Sequence, residues 1–278
     1  MVVFLNGRLV AENEAVVSIF DRGFLYGDGV FETIRVFNGK PFRWLQHLQR
    51  LQAGAEFLGI RLPFSNDALL EFSRELLTAN ETPNSLLRLT LSRGRGARGY
   101  SPKGAETPLV IISQHPLPSE PAYGWKLITS QFLLPSRDPL ARFKTSNKLA
   151  QIMARAEADS ADADEALLLN TDGHVVEGSS SNLFWVRGDM VFTTPVPAGI
   201  LPGITRQTAL ELCENLAIPT REIRIDVEEL SHADGTFLSL SSLGLVRAVS
   251  LNGEPLPQSN IVDRLQNEYA QLLIAETG

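Results

Sequence analysis

Five lysines stand against twenty arginines in this chain, so chemistry that needs a primary amine has few candidates. Imine formation requires an amine that can shed its proton near neutral pH, and desolvation or a neighbouring cation provides that. Lys40 borders a turn, Lys103 follows Pro102 in a Gly-rich loop and Lys126 opens a strand; each reads as a solvated charge. Lys144 differs. It lies in LARFKTSNKLAQ, just ahead of a helix capped by Ser146 or Asn147, where rigid neighbours can hold and desolvate it. On position alone, an exposed loop lysine is the competing reading.

Four further segments carry groups of the right type. In VVEGSSSNLFW (175–185), Glu177 ends a short strand, and a carboxylate there suits a protonated ring nitrogen. The small residues Gly178 to Ser181 let backbone approach a ligand, and the Ser hydroxyls can donate to phosphate oxygens. A polar turn capped by Ser and Asn is the plainer reading. In AGILPGITRQTAL (198–210), Pro202-Gly203 breaks the chain before a helix, so the Ile204 and Thr205 amides are free first-turn donors, a ready phosphate site. An ordinary loop-to-helix junction fits as well. SLSSLG (239–244) is a small polar turn whose Ser241 can reach the same phosphate. In SRGRGARGYSP (92–102), Arg93, Arg95 and Arg98 alternate with glycines ahead of Tyr100; a guanidinium fork there suits a carboxylate, and a solvated hairpin loop is the alternative. The four His (47, 115, 174, 232) lack metal-ligand spacing, and His47 reads as structural. No G-x-G-x-x-G, P-loop or G-x-S-x-G motif is found.

The elements that must position these residues follow from periodicity and turn chemistry. Strands are expected at 1–5 and 8–11 around Asn6-Gly7, and at 30–37 and 41–44 around Asn38-Gly39. Leu45, Leu48, Leu51, Ala55 and Leu58 mark a helix, and Ser65 opens another with Leu69, Leu70, Phe72, Leu76 and Leu77 as its stripe. Strands at 86–91 and 108–113 follow. Residues 114–124, QHPLPSEPAYG, with three prolines, read as an interdomain linker. Beyond it come a strand (126–132), a helix from about 147 to 159, short strands crowded between 165 and 193, and a helix of about a dozen residues from Ile204. Asp226 with Glu229 has capping-box spacing, strands 235–241 and 244–251 follow, and a helix runs from about 260 to 275. The pattern is α+β: a domain over 1–113, the linker, and a larger domain over 125–278.

Composition narrows the class. With 278 residues and 44% hydrophobic residues the chain can bury a sizeable core. A formal charge of −7 disfavours a general nucleic-acid or anionic-membrane binder, and no run of about 18 apolar residues is present. MVVFLNGRLV lacks a basic start and a cleavable apolar core. The single Cys213, at helical spacing with Leu210 and Leu216, reads as packed and suits a reducing cytoplasm.

Together the segments resemble the fold type IV, class IV pyridoxal-phosphate enzymes: branched-chain and D-amino-acid aminotransferases, (R)-amine transaminases and aminodeoxychorismate lyases. The family signature starts at Glu177 and continues through Asn182-Leu183-Phe184, Val191, Thr193, Leu201, Gly203, Ile204 and Arg206. DRGFLYGDGVFETIRV (21–36), HLQRL (47–51), RGRGARGY and KTSNKLAQ extend the likeness over nearly the whole chain. The resemblance implies a two-domain fold, with a small N-terminal α/β domain and a larger C-terminal pseudo-barrel domain that binds pyridoxal 5'-phosphate. It implies that Lys144 forms the Schiff base and shuttles the proton, that Arg50 binds the phosphate, and that Glu177 pairs with the pyridinium nitrogen. Ser181, Asn182, Leu201, Ile204, Thr205 and Ser241 complete the cofactor side. Tyr26, Phe31, Thr33, Arg98, Tyr100, Ser242 and Leu243 fall on the substrate side, with Tyr26 serving the neighbouring subunit and Tyr100 standing where D-amino-acid enzymes carry a His.

The implied activity is ping-pong transamination between an amino acid or (R)-amine and a 2-oxo acid. The alternatives are release of pyruvate from aminodeoxychorismate, favoured by Phe31-Glu32-Thr33 and RGRGARGY, and a cofactor-binding protein without turnover. The resemblance also implies small-molecule partners, a homodimer with shared sites and a cytoplasmic setting, with no metal, nucleic acid or membrane involved.

Overall fold

Strict alternation in the strands of the first half explains its architecture. In the computed structural model, which describes residues 1–119 and 121–278, the chain forms two compact units. One comprises Met1–Leu117, Phe143–Asn147 and Leu273–Gly278; the other comprises Pro118–Arg142 and Lys148–Leu272. Glu120, within the expected linker, lies outside the described residues.

The first unit opens with β1 (Val2–Leu5) and β2 (Arg8–Ala11), joined by Asn6 (φ 45°) and Gly7 (φ 99°), the left-handed pair that a tight hairpin demands. A short helix α1 (Arg22–Tyr26) follows, capped by the Asp21 carboxylate and closed at Gly27, φ 67°. Then come β3 (Gly29–Phe37), β4 (Lys40–Pro41), α2 (Trp44–Leu58), α3 (Asn66–Asn80), β5 (Ser85–Ser92) and β6 (Leu109–His115). The strand expected through Trp44 stops at Pro41: Arg43 takes φ 55°, and Trp44 begins α2.

The sheet runs β2-β1-β6-β5-β3-β4, antiparallel throughout. Its core face presents Phe4, Ile34, Val36, Leu87, Leu89, Leu91, Val110 and Ile112 to Leu48, Leu51 and Ala55 of α2 and Leu69, Leu76 and Leu77 of α3. Period-two alternation therefore sends Phe31, Thr33 and Arg35 of β3 and Leu86, Arg88 and Thr90 of β5 to the opposite face. The core face also carries a charged residue: Glu32 is fully buried.

In the second unit, β7 (Trp125–Leu134), α4 (Leu149–Ser160), β8 (Glu165–Asn170), β9 (Val175–Gly178), β10 (Asn182–Arg187) and β11 (Met190–Thr193) lead to α5 (Ile204–Asn215) and β12 (Thr220–Glu222). They are followed by α6 (Val227–Ser231), β13 (Gly235–Leu240), β14 (Gly244–Leu251), β15 (Glu254–Pro255) and α7 (Asn260–Thr277). The sheet order is β12-β11-β10-β13-β14-β7-β8-β9, and β9 also pairs β10. Strands β10, β13, β14, β7, β8 and β9 thus close on themselves, which is the expected pseudo-barrel. Leu127, Leu167, Val175, Leu183, Trp185, Leu238 and Val246 share one buried cluster drawn from all six ring strands, so side chains fill the ring. Alternate residues Ala166, Leu168 and Val176 pack outward on Ala154 and Ala158 of α4. Helix α4 starts at Leu149 rather than Asn147, whose side-chain Nδ2 donates to the Gly27 carbonyl at 3.1 Å. Cys213 is buried, and burial pushes its thiol up to about 11.

Candidate active site

Lys144 belongs to the first unit because residues 143–147 return to the start of β3. Phe31 N–H donates to the Lys144 carbonyl at 2.9 Å, Ser146 N–H to the Gly29 carbonyl at 2.9 Å, and Thr145 bridges to Val30. Phe143 stacks on Phe57 with centroids 4.5 Å apart. Gly54 makes room for this segment, since a Cβ there would sit 3.0 Å from Val30 and 3.7 Å from Phe143. With its backbone fixed, Lys144 carries its amine 4.8 Å from the centroid of the Phe31 ring.

Beneath β3 lies a charged triad. Glu32 accepts two bonds from Arg50, Nε to Oε1 at 2.8 Å and Nη2 to Oε2 at 2.7 Å, and its Oε2 lies 2.7 Å from His47 Nδ1. Burial would raise the Glu32 pKa, but the Arg50 charge and the hydrogen bonds of Arg50 and His47 outweigh it and hold the carboxyl at about 2. For His47, burial outweighs the raising effect of Glu32, and the charges of Arg50 and Lys144 push the same way, so its pKa lies below the usual value. His47 is thus neutral at pH 7 and donates Nδ1–H to Glu32, an orientation that fixes the ring. The structural reading of His47 holds, with a definite task. Arg50 of HLQRL is carried on α2 as one arm of this triad. Glu32 was missed in the sequence, and its only signal is an acid inside an apolar strand.

The glycine-arginine loop is organised separately. Arg93 is not a carboxylate clamp for ligand: it is buried, donating to Asp28 at 2.8 Å and to the Leu58 and Gly59 carbonyls. Arg22 shares Asp28 at 2.7 Å, and the two arginines overcome burial to keep that carboxyl below its ordinary pKa. Tyr26 accepts from Gly99 N–H at 3.0 Å and meets Tyr100 edge to face. Tyr100 and Arg98 are exposed. Among the predicted residues of this unit, Lys144 and Phe31 come together, as do Tyr26 and Tyr100, while Thr33 lies across from Arg88 on β5.

In the second unit, Glu177 and Asn182 face each other across β9 and β10. Glu177 Oε2 accepts from Leu201 N–H at 2.9 Å and from Asn182 Nδ2 at 3.4 Å, and Asn182 Nδ2 also donates to the Leu201 carbonyl at 2.9 Å. Three predicted residues are therefore tied together. Gly203 precedes α5 without a side-chain cap, and a Cβ there would lie 2.1 Å from Asn182 Oδ1, so only glycine fits. The first-turn amides of Ile204 and Thr205 have no intrahelical acceptor, and both residues are buried. Ser239, paired with Asn182 in register, has a buried hydroxyl without a hydrogen-bond partner among the described residues. Ser241, Ser242 and Leu243 form the turn between β13 and β14, with Leu243 packed on the ring core. Arg206 ties α5 to the Thr194 carbonyl at 3.1 Å and to Glu222 at 2.8 Å.

The serines behave differently from a simple phosphate cradle. Glu165 at the start of β8, buried, accepts from Ser179 N–H (3.1 Å) and its hydroxyl, from Ser180 N–H (3.2 Å) and its hydroxyl (3.0 Å), and from the Ser181 hydroxyl (3.1 Å). The Ser181 hydroxyl thus orders the loop after Glu177. Glu165 was also missed in the sequence, where it follows Asp159, Asp162 and Asp164.

The amine beside an aromatic ring and the arginine triad of the first unit, and separately the clamped carboxylate and uncapped buried helix start of the second, are each of the kind that suits part of a phosphorylated pyridine aldehyde. The orphaned Ser239 hydroxyl and the close approach at Gly203 fit such a group as well. Residues 29–251 match the family described as amino-transferase class IV. The D-alanine aminotransferase of Bacillus licheniformis is 34% identical, covering 100% of this chain and 99% of that protein. The aminodeoxychorismate lyase of Bacillus subtilis is 31% identical over 88% of this chain and 84% of its own length. Among solved structures, a branched-chain aminotransferase from Thermoproteus uzoniensis with norvaline superposes with a TM-score of 0.92 at 30% identity, covering 99% of this chain and 95% of that one. A T.th. branched-chain amino acid aminotransferase with pyridoxamine 5'-phosphate does so at 0.92 and 26%, covering 98% and 93%.

The chain belongs to the class IV aminotransferases. It is an α+β enzyme of fold type IV, and its cofactor is pyridoxal 5'-phosphate. Among the described residues no His/Cys/Asp/Glu cluster suits a metal, and no helix is long and apolar enough to cross a membrane.

Proposed function

We propose that the enzyme is a transaminase, moving an amino group between an amino acid or (R)-amine and a 2-oxo acid in two half-reactions, of the D-amino-acid or branched-chain type. The observation that carries this reading is Lys144, its backbone pinned to β3 and its amine held over Phe31. Bound pyridoxal phosphate supplies an aldehyde that takes up amino groups and a ring that draws electrons from the adjacent carbon. Lys144 Nζ would hold the cofactor and, as a free amine, would serve as the base that moves the substrate Cα proton. Arg50, oriented by Glu32, binds phosphate. Glu177, oriented by Asn182 and Leu201, keeps a proton on the ring nitrogen. The Ile204 and Thr205 amides, the Thr205 hydroxyl and Ser241 donate to phosphate. Asn182 and Leu201 line the cofactor through their bonds with Glu177, and Ser181 supports them. Tyr26, Phe31, Thr33, Arg98, Tyr100, Ser242 and Leu243 shape the substrate side. The reading includes a homodimer in the cytoplasm acting on small amino and oxo acids; its support is the family likeness and the single buried Cys213.

The relative from Bacillus subtilis and the segment Phe31-Glu32-Thr33 favour a second reading, release of pyruvate from aminodeoxychorismate, with Thr33 near the proton transfer. One experiment separates the two. Holoenzyme is mixed with single D- and L-amino acids and (R)-amines, and the conversion of its visible absorbance to that of the aminated cofactor is followed. Conversion by an amino acid or amine supports the transaminase. No conversion, together with pyruvate release from aminodeoxychorismate, overturns it in favour of the lyase.

A further inference from the structure

Glu165 is a buried carboxylate that no step above uses. It opens β8 in register with Leu127 of β7 and stands two positions before Leu167, and both leucines fill the ring. Its exposure is 0%, the same as that of Glu32, yet Glu32 is met by Arg50 whereas Glu165 has no cationic partner among the described residues. A carboxylate set among apolar side chains is costly unless hydrogen bonds satisfy it. Six donors converge on it. Oε1 accepts from the Ala166 and Ser179 N–H groups at 3.0 and 3.1 Å and from the Ser179 hydroxyl. Oε2 accepts from the Ser180 N–H at 3.2 Å and from the Ser180 and Ser181 hydroxyls at 3.0 and 3.1 Å.

Five of these six donors belong to one short stretch, residues 179–181. The stretch is also closed by its own backbone: Gly178 N–H donates to the Ser181 carbonyl at 2.7 Å, and Ser179 N–H to the Ala166 carbonyl at 3.0 Å. A Cβ at Gly178 would stand 3.0 Å from Glu165 Oε2, so the backbone lies directly against the carboxylate. The turn is therefore wrapped around Glu165 as a nest of donors around an anion. Glu177 enters this turn and Asn182 leaves it, and these two form the register pair between β9 and β10. On the other side, Leu168 and Leu167 of β8 pair with Glu177 and Gly178, so one strand carries both the anchor and the neighbour of the turn. The bonds with Leu201 and Asn182 orient the Glu177 carboxyl, and the turn sets where its backbone ends.

We propose that Glu165 is a positioning residue of the reaction: its carboxylate seats the turn 178–181, and through that turn it places Glu177 at the cofactor ring nitrogen. This role rests on the assignment of Glu177 to the ring nitrogen and adds the group that delivers it. Amino-group transfer and pyruvate release both draw on that nitrogen, so the choice between them does not enter.

The test compares holoenzymes of wild type, Glu165→Gln, Glu177→Gln and the double variant in whichever reaction the wild type performs. Loss of the group facing the ring lowers kcat roughly 100-fold in Glu177→Gln. Misplacement of that group lowers it roughly tenfold in Glu165→Gln. Because Glu165 acts through Glu177, the double variant stays within about threefold of Glu177→Gln alone. A second readout does not depend on turnover. In the Glu165→Ala holoenzyme, hydrogen exchange at the Ser180 amide speeds up by at least about tenfold. Acetate, the carboxylate that this variant has lost, slows exchange again and raises kcat, and neutral acetamide does neither. If Glu165→Ala does not fold, Glu165→Gln carries the exchange measurement. Losses that multiply in the double variant, an unchanged kcat in Glu165→Gln, unchanged exchange, or acetamide acting as well as acetate overturns the proposal. An unchanged kcat in Glu177→Gln defeats the assignment of Glu177 instead, and exchange with acetate still decides whether Glu165 seats the turn.

Discussion

Replacing Glu32 by Gln tests the triad beneath β3, and its size follows from the structure. The carboxyl titrates at about 2 in the folded chain against an ordinary 4.5. A depressed carboxylate adds stability that is fully present above its unfolded pKa and is lost as pH falls through its folded one. The window runs from about pH 4.5 down to about pH 2, and the contribution above it is about 3 kcal/mol at 1.36 kcal/mol per pH unit. At pH 3.5 the unfolded chain already holds its proton, and the remainder is about 2 kcal/mol. Glu32→Gln therefore costs about 3 kcal/mol at pH 7, roughly 6 °C in melting temperature at about 2 °C per kcal/mol for a chain of this length. The gap between variant and wild type narrows on acidification. His47 also weakens the fold as pH falls below 6.5, because its pKa is lowered in the folded chain; Glu32 raises that pKa, so this loss is the larger in the variant and offsets part of the narrowing. The assay is denaturant unfolding of both proteins at pH 7, 5 and 3.5, with tryptophan emission as readout. A stability gap that is absent at pH 7, or that stays constant down to pH 3.5, refutes the account of Glu32 as a carboxylate held charged by Arg50.

Two other substitutions probe the second unit. Gly203→Ala places a methyl about where Asn182 Oδ1 stands; since φ at this position is −67°, the clash and not backbone strain disturbs the start of α5. Pyridoxal phosphate affinity, measured by fluorescence titration, falls roughly tenfold to 100-fold, and an unchanged affinity shows that this helix start does not hold phosphate. Glu165→Ala strands the donors of Ser179, Ser180 and Ser181 and costs about 3 kcal/mol in denaturant unfolding. A loss under about 1 kcal/mol shows that the serines find water instead.

How much of this was legible depended on the range of the physics. Lys144 stood out because lysine is scarce and its loop precedes a helix. Hairpins at Asn6-Gly7 and Asn38-Gly39 were legible because those dipeptides accept left-handed backbone. Ring closure was not, because β9 meets β10 and β7 lies parallel to β8 and β14 through pairings that no local pattern encodes. Segment 143–147 reads as part of the second half of the chain until its bonds to Gly29 and Phe31 are seen. Glu32 and Glu165 stayed hidden for one reason. Each is a charged residue in a strand, and its meaning lies in partners 14 or more positions away, such as His47 or Ser179. For Arg93 the same blindness misled, since its partner Asp28 is supplied by the turn before β3.

The most direct measurement is borohydride reduction of the holoenzyme followed by peptide mass mapping. The account predicts a stable phosphopyridoxyl adduct on Lys144, with the other four lysines unmodified, and no adduct or turnover in Lys144→Ala. An adduct on Lys148 or another lysine, or an active Lys144→Ala enzyme, contradicts it.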